Sequence, residues 1–458
     1  MDEEALSGAG ETSGDGLRDL ESRLDVDELR ELVAWAAEWH LDVERRLRLT
    51  AARSSGDLRV LRGEVDRGLR TRKFLGYRES VAWAREARPI VDELERAVES
   101  SPSRELVALL ERAVGHVVKV IQARADDSSG MVGDLARDLL EVHARACEAG
   151  VADPVKLANW MIRFRFVDQD FFEPDPVRYR DALGETGLAA YRAAVEAHSD
   201  QDAFAVRYAR ERLAILDRDR ERIVELLGGD LSAAHQFLAV AEAMVELDLP
   251  EEALAWATRG IAQTRGWQTD RLYDLACAVH TNAGRHVEVL AIRRAQHERS
   301  PTAGSYSQLR RAAEAVDAWA LERDAAILAL RERNLRGLVD ALLDDGDADA
   351  AWVAALALAP DELGDPTWLR LAEAREATHP AEAIPIYLRI ADEVLLTADR
   401  RSYTQATRIL KRARAAAAAA GHADQFAETL ATLREQHRRR PSLIAMLDKA
   451  GLTGHGAA

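Results

Sequence analysis

The chain has 458 residues, 47% of them apolar and 31% charged, and its formal net charge is −17. A chain of this length and composition buries a large core in two domains or one long array, which excludes an intrinsically disordered protein. The negative charge argues against a protein that binds nucleic-acid phosphates over a broad surface, because such proteins carry an excess of Lys and Arg.

The most abundant residue types are strong helix formers, and aromatic residues make up only 5% of the chain. We therefore predict an all-α protein. Residues 1–16 are acidic and rich in Gly and Ser, without the basic start and apolar segment of a signal peptide, so we expect a flexible tail and a cytoplasmic protein. No apolar stretch approaches the roughly 20 residues that a membrane helix needs.

Residues 17–200 form a predicted N-terminal helical domain. One helix opens at Asp27-Glu28, and its apolar residues share one broad face. These residues are Leu29, Leu32, Val33, Trp35, Ala36 and Trp39. A polar stretch at 198–202 marks the expected joint to the next domain.

Residues 201–451 contain a repeated helical hairpin. The segments 237–260 and 368–390 each have a helix, a short turn with Pro, and a second helix that opens on Glu-Ala. Second helices start near Glu251, His286, Asp347 and Ala381, at intervals of about 35, about 61 and about 34 residues, as in tetratricopeptide arrays.

The predicted fold is therefore all-α, with the N-terminal domain followed by a degenerate tetratricopeptide-like α-solenoid and a short flexible tail at 452–458. Small residues recur on the second helices and let neighbouring helices approach closely. We expect Trp256 and Tyr387 to pack between neighbouring hairpins rather than to line a ligand pocket.

A short acidic turn, Asp126-Asp127-Ser128-Ser129-Gly130, lies between two helical patterns. Its carboxylates and hydroxyls could bind a divalent cation, although no Asp-x-Asp-x-Asp-Gly series is present. The alternative, which we favour, is that Ser128 or Ser129 caps the next helix while the acids lie near its positive end.

The segment 168–176 is the densest cluster of acidic and aromatic residues in the chain. It could dock a partner or form a carboxylate site. We favour a structural role, in which Phe171 and Phe172 anchor the loop and Asp175 caps the helix after Pro176.

Metal and catalytic motifs are sparse. His143 and Cys147 lie four residues apart on one helical face, which is half a metal site, but two ligands are too few and a buried pair is favoured. Cys147 and Cys277 are the only cysteines, so no disulfide or zinc framework is expected. There is no nucleophile elbow, phosphate loop or HExxH helix, and we predict no catalytic residue, metal or cofactor.

The C-terminal end reverses the charge of the chain. From Asp399 to Ala450 there are 11 Lys or Arg residues against 5 Asp or Glu, a local charge of +6. The candidate partner-binding residues are Arg408, Lys411, Arg412, Arg414, Arg438, Arg439 and Arg440. A phosphate or acidic partner is one interpretation, and a solvated basic end that stabilises helix C-termini is the other.

Several motifs resemble bacterial SWIM zinc-finger proteins over their C-terminal helical region. They are Tyr403-x2-Ala406-x3-Leu410, Phe426-x3-Leu430-x2-Leu433-Arg434, His143-x-Arg145-Ala146-Cys147 and Glu252-Ala253-Leu254-Ala255-Trp256. The zinc finger itself needs a CxCx(n)CxH ligand set that this chain lacks, so no zinc is carried over. The resemblance implies a bacterial adaptor that works beside AAA ATPases or von Willebrand A proteins.

These observations favour a non-enzymatic protein-interaction scaffold or adaptor. A nucleic-acid-associated accessory protein that uses the basic end is the alternative. An enzyme whose site one sequence does not reveal is a third hypothesis.

Overall fold

In a computed structural model, the structure describes residues 24–55, 58–201, 203–359 and 361–453. Over these ranges the chain forms 23 α-helices and no β-strand, and a single isolated bridge joins Leu75 to Ala125. The all-α prediction is confirmed. The predicted tail at 1–16 and the end of the predicted tail at 452–458 lie outside the described residues.

The first compact unit ends at Gly229. Its helices are α1 Val26–Trp39, α2 Leu41–Ser55, α3 Leu58–Gly68, α4 Tyr77–Ser100, α5 Arg104–Ala123, α6 Met131–Ala146, α7 Pro154–Arg163, α8 Arg180–Glu196, α9 Phe204–Leu216 and α10 Arg220–Gly228. Helix α6 packs against α4 and α5, and α7 packs against α8. Two π-helical turns, Cys147–Val151 and Phe164–Asp168, continue α6 and α7.

The second compact unit starts at Asp230. Its helices are α11 Ala234–Glu246, α12 Pro250–Gln263, α13 Trp267–Asn282, α14 His286–Arg299, α15 Ala303–Glu314, α16 Trp319–Arg333, α17 Leu335–Asp344, α18 Ala348–Leu356, α19 Asp365–Arg375, α20 Pro380–Leu395, α21 Arg400–Ala419, α22 Ala423–Gln436 and α23 Pro441–Lys449. Consecutive helices pair as hairpins from α11–α12 to α21–α22, and α23 follows the last one. The repeat prediction is confirmed, since predicted second helices begin at α12, α14, α18 and α20.

Most of these hairpins use one turn geometry. A residue with positive φ follows the first helix, and the next amide donates to the carbonyl five residues earlier at 2.8 to 3.0 Å, which is the longer bond of a Schellman motif. The positive-φ residues are Asp248, Gly284, Asp317, Gly346 and Gly421, and Arg218 has the same role between α9 and α10.

The shared turn explains a repeat that the sequence pattern did not resolve. Helix α16 begins at Trp319 within the interval of about 61 residues that counts as two repeats. Its turn has Asp317 at φ 55°, where three other hairpins have Gly. Without Gly or Pro, the turn gave no signal in the sequence.

Asp317→Gly is expected to raise the free energy of unfolding by about 0.5 kcal/mol. The left-handed conformation costs a residue with a Cβ about 1 kcal/mol or more, and the extra backbone entropy of Gly in the unfolded chain offsets part of the gain. Urea titration measures the change. The converse variant Gly346→Ala, at the same turn position, should lose about 1 kcal/mol, and a gain there would contradict the argument.

Arginines at the ends of second helices form hydrogen bonds that link successive hairpins. Arg299, the last residue of α14, donates to the carbonyl oxygens of Ile261 and, at 2.7 Å, of Thr264 at the end of α12. Arg333, the last residue of α16, donates likewise to Glu298 and, at 2.7 Å, to Arg299. Each guanidinium therefore satisfies carbonyls that helix geometry leaves unpaired, and complements the negative helix end.

The two compact units divide at Gly229 and Asp230, later than the joint expected at 198–202. The reason is that α9 packs on the first unit, where Val206, Ala209 and Leu213 belong to the core. At the other end, Leu452 is fully buried in the core of the last hairpins, so the tail predicted at 452–458 begins after this residue.

Candidate functional site

The basic end is partly used inside the protein. Arg412 pairs with Glu373 at 2.9 Å and Glu376 at 2.8 Å, and its guanidinium lies over the Tyr387 ring. Arg414 donates to the carbonyl of Gly451 at 2.8 Å, and Arg440 to that of Leu395 at 2.5 Å. These three candidate residues thus stabilise helix contacts.

The other four candidates lie at the surface. Arg408, Lys411, Arg438 and Arg439 are exposed, and Arg438 forms an ion pair with Glu435 one helical turn away. Arg438 and Arg439 border an open surface depression beside α22. Internal pairing therefore reduces the positive charge that the basic end presents to a partner.

The acidic turn caps α6, as the favoured interpretation predicts, but mainly through Asp127. Of the two predicted serines, Ser129 contributes a longer contact, in which its Oγ accepts from the amide of Met131 at 3.4 Å. The carboxylate of Asp127 accepts from the amides of Val132 at 2.9 Å and Gly133 at 2.8 Å. Ser128 instead donates to Asp126 within the turn. Asp127 takes the capping role because its two oxygens reach two free amides of the first helical turn.

The segment 168–176 is also structural. Phe172 is buried, as predicted, whereas the anchoring role predicted for Phe171 is wrong, since that ring is 61% exposed. The side chain of Gln169 organises the loop by accepting from the amides of both Phe residues at 2.6 and 2.7 Å. Asp175 accepts from the amide of Val177 at 3.0 Å, but it caps a turn rather than the predicted helix, because α8 begins only at Arg180. Asp175 also pairs with Arg212 of α9 at 2.6 Å.

His143 and Cys147 form a sealed cluster inside the first unit. Both side chains are fully buried, and the His143 ring lies 4.3 Å from the Trp160 ring. His143 Nδ1 is 2.9 Å from the Tyr179 hydroxyl, which donates to the Leu140 carbonyl at 3.0 Å. Nδ1 therefore carries the proton, and Nε2 lies 3.6 Å from the Cys147 sulfur and 3.9 Å from a carboxylate oxygen of Glu111.

The environment of this cluster disfavours reactivity of its cysteine. Burial, with the charges of Glu111 and Glu148 nearby, raises the pKa of the Cys147 thiol to about 12. A nucleophilic or metal-binding cysteine needs a thiolate, which this environment disfavours. Across the described ranges, no three His, Cys, Asp or Glu side chains converge as metal ligands. The interpretation of His143 and Cys147 as a buried pair is confirmed.

Burial lowers the pKa of His143, because the imidazolium loses its hydration. Since the unfolded chain then binds more protons below the ordinary pKa of 6.5, stability should fall as pH drops below that value. We expect His143→Asn to reduce the slope of unfolding free energy between pH 7 and 5.5 by up to about 1.4 kcal/mol per pH unit. Urea titrations at several pH values measure it, and equal slopes would contradict the assignment.

A groove lies beside this cluster. Two adjoining cavities of about 550 and 500 Å³ share Ala108, Glu111, Trp160 and Arg163, which belong to α5 and α7. Both π-helical turns contribute to its walls, through Val151 and through Phe164 and Asp168. Such turns are frequent at functional sites.

This groove was not predicted, although the sequence of α5 carries a signal for it. Helix α5 is strongly apolar, yet Arg104, Ala108, Glu111, Gly115 and Lys119 follow one another on a single face. Their spacing of three or four residues places polar and small side chains in one row. That row is the α5 wall of the groove.

The groove is rich in cations. Arg104, Arg112, Lys119, Lys156 and Arg163 line it, against Glu111, Asp153 and Asp168. Arg112 binds Asp66 through two nitrogens at 2.6 and 3.0 Å, and this contact is the main reason that the pKa of Asp66 falls to about 2. Asp153 is occupied in capping α7. The net positive charge of the groove therefore comes from cationic side chains that lack a strong carboxylate partner.

Comparisons with known proteins add little. No family model matches the chain, and no characterised protein matches its sequence. Among solved structures, one match is described as "Circular tandem repeat protein with novel repeat topology and enhanced subunit contact surfaces"; it is 15% identical, and the alignment covers 90% of this chain and 91% of that one. Its TM-score of 0.14 is too low to support an argument.

No helix within the described ranges combines the length and apolar character needed to cross a bilayer.

Proposed function

We propose that the protein is a non-enzymatic cytoplasmic scaffold that binds a protein partner through its helical surface. Helical-hairpin arrays present large surfaces on a rigid frame, and such surfaces serve interaction in repeat proteins. The fold alone does not decide this, because one architecture supports many functions.

The observation that carries the proposal is the contrast between the groove and the cluster beneath it. His143, Cys147 and Tyr179 bond to one another inside the core, whereas the groove above them is lined by exposed cations and by the largely buried Trp160. A catalytic site needs a reactive group within reach of its substrate. Here the histidine and the cysteine are buried, and the exposed cations of the groove are suited to recognition.

Affinity purification of the full-length protein from its native host tests this proposal. We expect one protein to co-purify in a stable ratio and to bind again when both components are purified separately. An AAA ATPase or a von Willebrand A protein is the partner class that the sequence resemblance favours. If the purified components do not bind each other, the scaffold proposal fails.

A nucleic-acid accessory role predicts a different result. Because the chain carries −17 overall and the basic end is partly paired, we expect no binding tighter than micromolar to DNA or RNA near physiological salt. Fluorescence titration with labelled duplex and single-stranded probes measures this. Nanomolar binding that Arg438→Glu, Arg439→Glu and Arg440→Glu together abolish would favour the accessory role.

A further inference from the structure

We propose that the groove between α5 and α7 binds an acidic peptide segment of the partner, with an apolar side chain at its centre. This inference rests on the proposed scaffold function. It adds the location of the binding site and the chemistry of the segment that the site accepts.

Three cationic side chains of the groove form no ion pair with any described residue. Arg104, Lys119 and Lys156 are exposed, and none has a carboxylate partner among the residues that the structure describes; Arg104 donates only to the Val151 carbonyl at 3.0 Å. Two arginines of the same groove are paired, Arg112 with Asp66 at 2.6 Å and Arg163 with Asp168 at 3.4 Å. In a chain of net negative charge, three unpaired cations along one groove favour an acidic occupant.

The distribution of charge along the groove favours a peptide over a nucleic acid as its occupant. Arg104 and Lys156 lie in one cavity and Lys119 in the other, while Glu111 and Trp160 line both. Glu111 would repel a continuous polyanion at the middle of the groove. A nucleic-acid backbone therefore fits poorly, whereas a peptide can place carboxylates near its ends and an apolar side chain against Trp160.

The shape of the groove suits a short peptide. From Arg104 to Lys119 the face of α5 extends about 22 Å, which matches about 15 helical residues or about 7 extended ones. Gly115 lies on this face, and a Cβ added there would meet no atom within 4 Å. The absence of a side chain therefore leaves space for a ligand at this point of the groove.

Selection from a random library of 16-residue displayed peptides tests the chemistry of the occupant. The target is the full-length protein, with the Lys119→Glu/Lys156→Glu variant as soluble competitor. We expect enriched peptides to carry more Asp and Glu than Lys and Arg, with a large apolar residue near the centre. Enrichment of neutral or basic peptides, or no enrichment at all, would overturn the proposal.

Binding of an enriched peptide, made synthetically, tests the location. We expect the Lys119→Glu/Lys156→Glu variant to weaken its affinity at least about tenfold, and added salt to weaken wild-type binding, since screening shortens the range of the attraction. The control variant Lys73→Glu/Lys449→Glu makes the same change of charge at other exposed positions. Equal weakening in both variants would show that only net charge matters.

A groove-filling variant separates binding from folding. Gly115→Leu should block the peptide without lowering the melting temperature, because the site is open and Leu favours helix over Gly. Gly63→Leu in α3 is the matched control, since a Cβ at Gly63 also meets no atom within 4 Å, and it should leave peptide binding unchanged. If Gly115→Leu folds and still binds the peptide, the groove is not the site.

The same variant distinguishes this inference from the scaffold proposal. Loss of the native partner with Gly115→Leu but not with Gly63→Leu supports both. Retention of the partner by Gly115→Leu leaves the scaffold proposal standing and overturns the groove as its binding site.

Discussion

Tyr387→Ala is expected to lower the free energy of unfolding of the second unit by about 4 kcal/mol. The Tyr387 ring is fully buried on α20, so truncation removes apolar contacts and leaves a cavity. Its hydroxyl donates to Glu376 at 2.5 Å, and the Arg412 guanidinium lies over the ring. Urea titration monitored by circular dichroism measures the loss.

Two further variants separate the parts of this effect. Tyr387→Phe keeps the ring and removes only the hydrogen bond, so it should cost about 1 kcal/mol. Trp256→Ala should cost less than Tyr387→Ala, because Trp256 is only half-buried, with its ring 6.4 Å from that of Phe237. A loss for Tyr387→Ala no greater than that for Tyr387→Phe would show that the ring contributes little packing.

Gly187→Ala is expected to cost about 3 kcal/mol, at the upper end of the usual range for overpacking. Gly187 is buried on α8, and an added Cβ would lie 2.7 Å from the carbonyl oxygen of Pro154 at the start of α7. Because the obstacle is backbone, relief requires α7 and α8 to separate. Thermal and urea unfolding of the variant measure the effect.

The control is the same substitution at an open helical position. Gly115→Ala should be neutral or stabilising by about 1 kcal/mol, since Ala is the better helix former and nothing obstructs its Cβ. If Gly187→Ala resembled Gly115→Ala, the close contact between α7 and α8 would not be a determinant of stability.

The repeat architecture could be predicted because local signals agree with it. Pro250 and Pro380 each occupy the first turn of a second helix, where the fixed φ and missing amide of Pro are tolerated. Asp317 and Arg218 stand where other turns have Gly, and a single Asp or Arg is too weak a signal to predict a left-handed conformation. Helix α16 was therefore not resolved by the pattern.

The groove was harder to predict because it depends on two helices separated in sequence. From its sequence, the polar face of α5 is typical of a solvent-exposed surface. Only the structure shows that Trp160 and Arg163 of α7 lie beside it. Helix periodicity shows which residues share a face, but not which helix that face meets. The basic end shows the reverse problem, since its charge count includes Arg412, Arg414 and Arg440, which bond within the protein.

The arginines at the ends of the second helices stabilise the hairpins in one direction along the chain. Arg299 satisfies the end of α12, and Arg333 satisfies the end of α14, so each hairpin depends on the one that follows it in the chain. A chain truncated just before Arg299 would leave the carbonyls at the end of α12 without these donors, whereas one that ends after α16 keeps both sets. Fraying should therefore spread from the C-terminal side toward the N-terminus, and the order in which amides exchange with deuterium should follow the same direction.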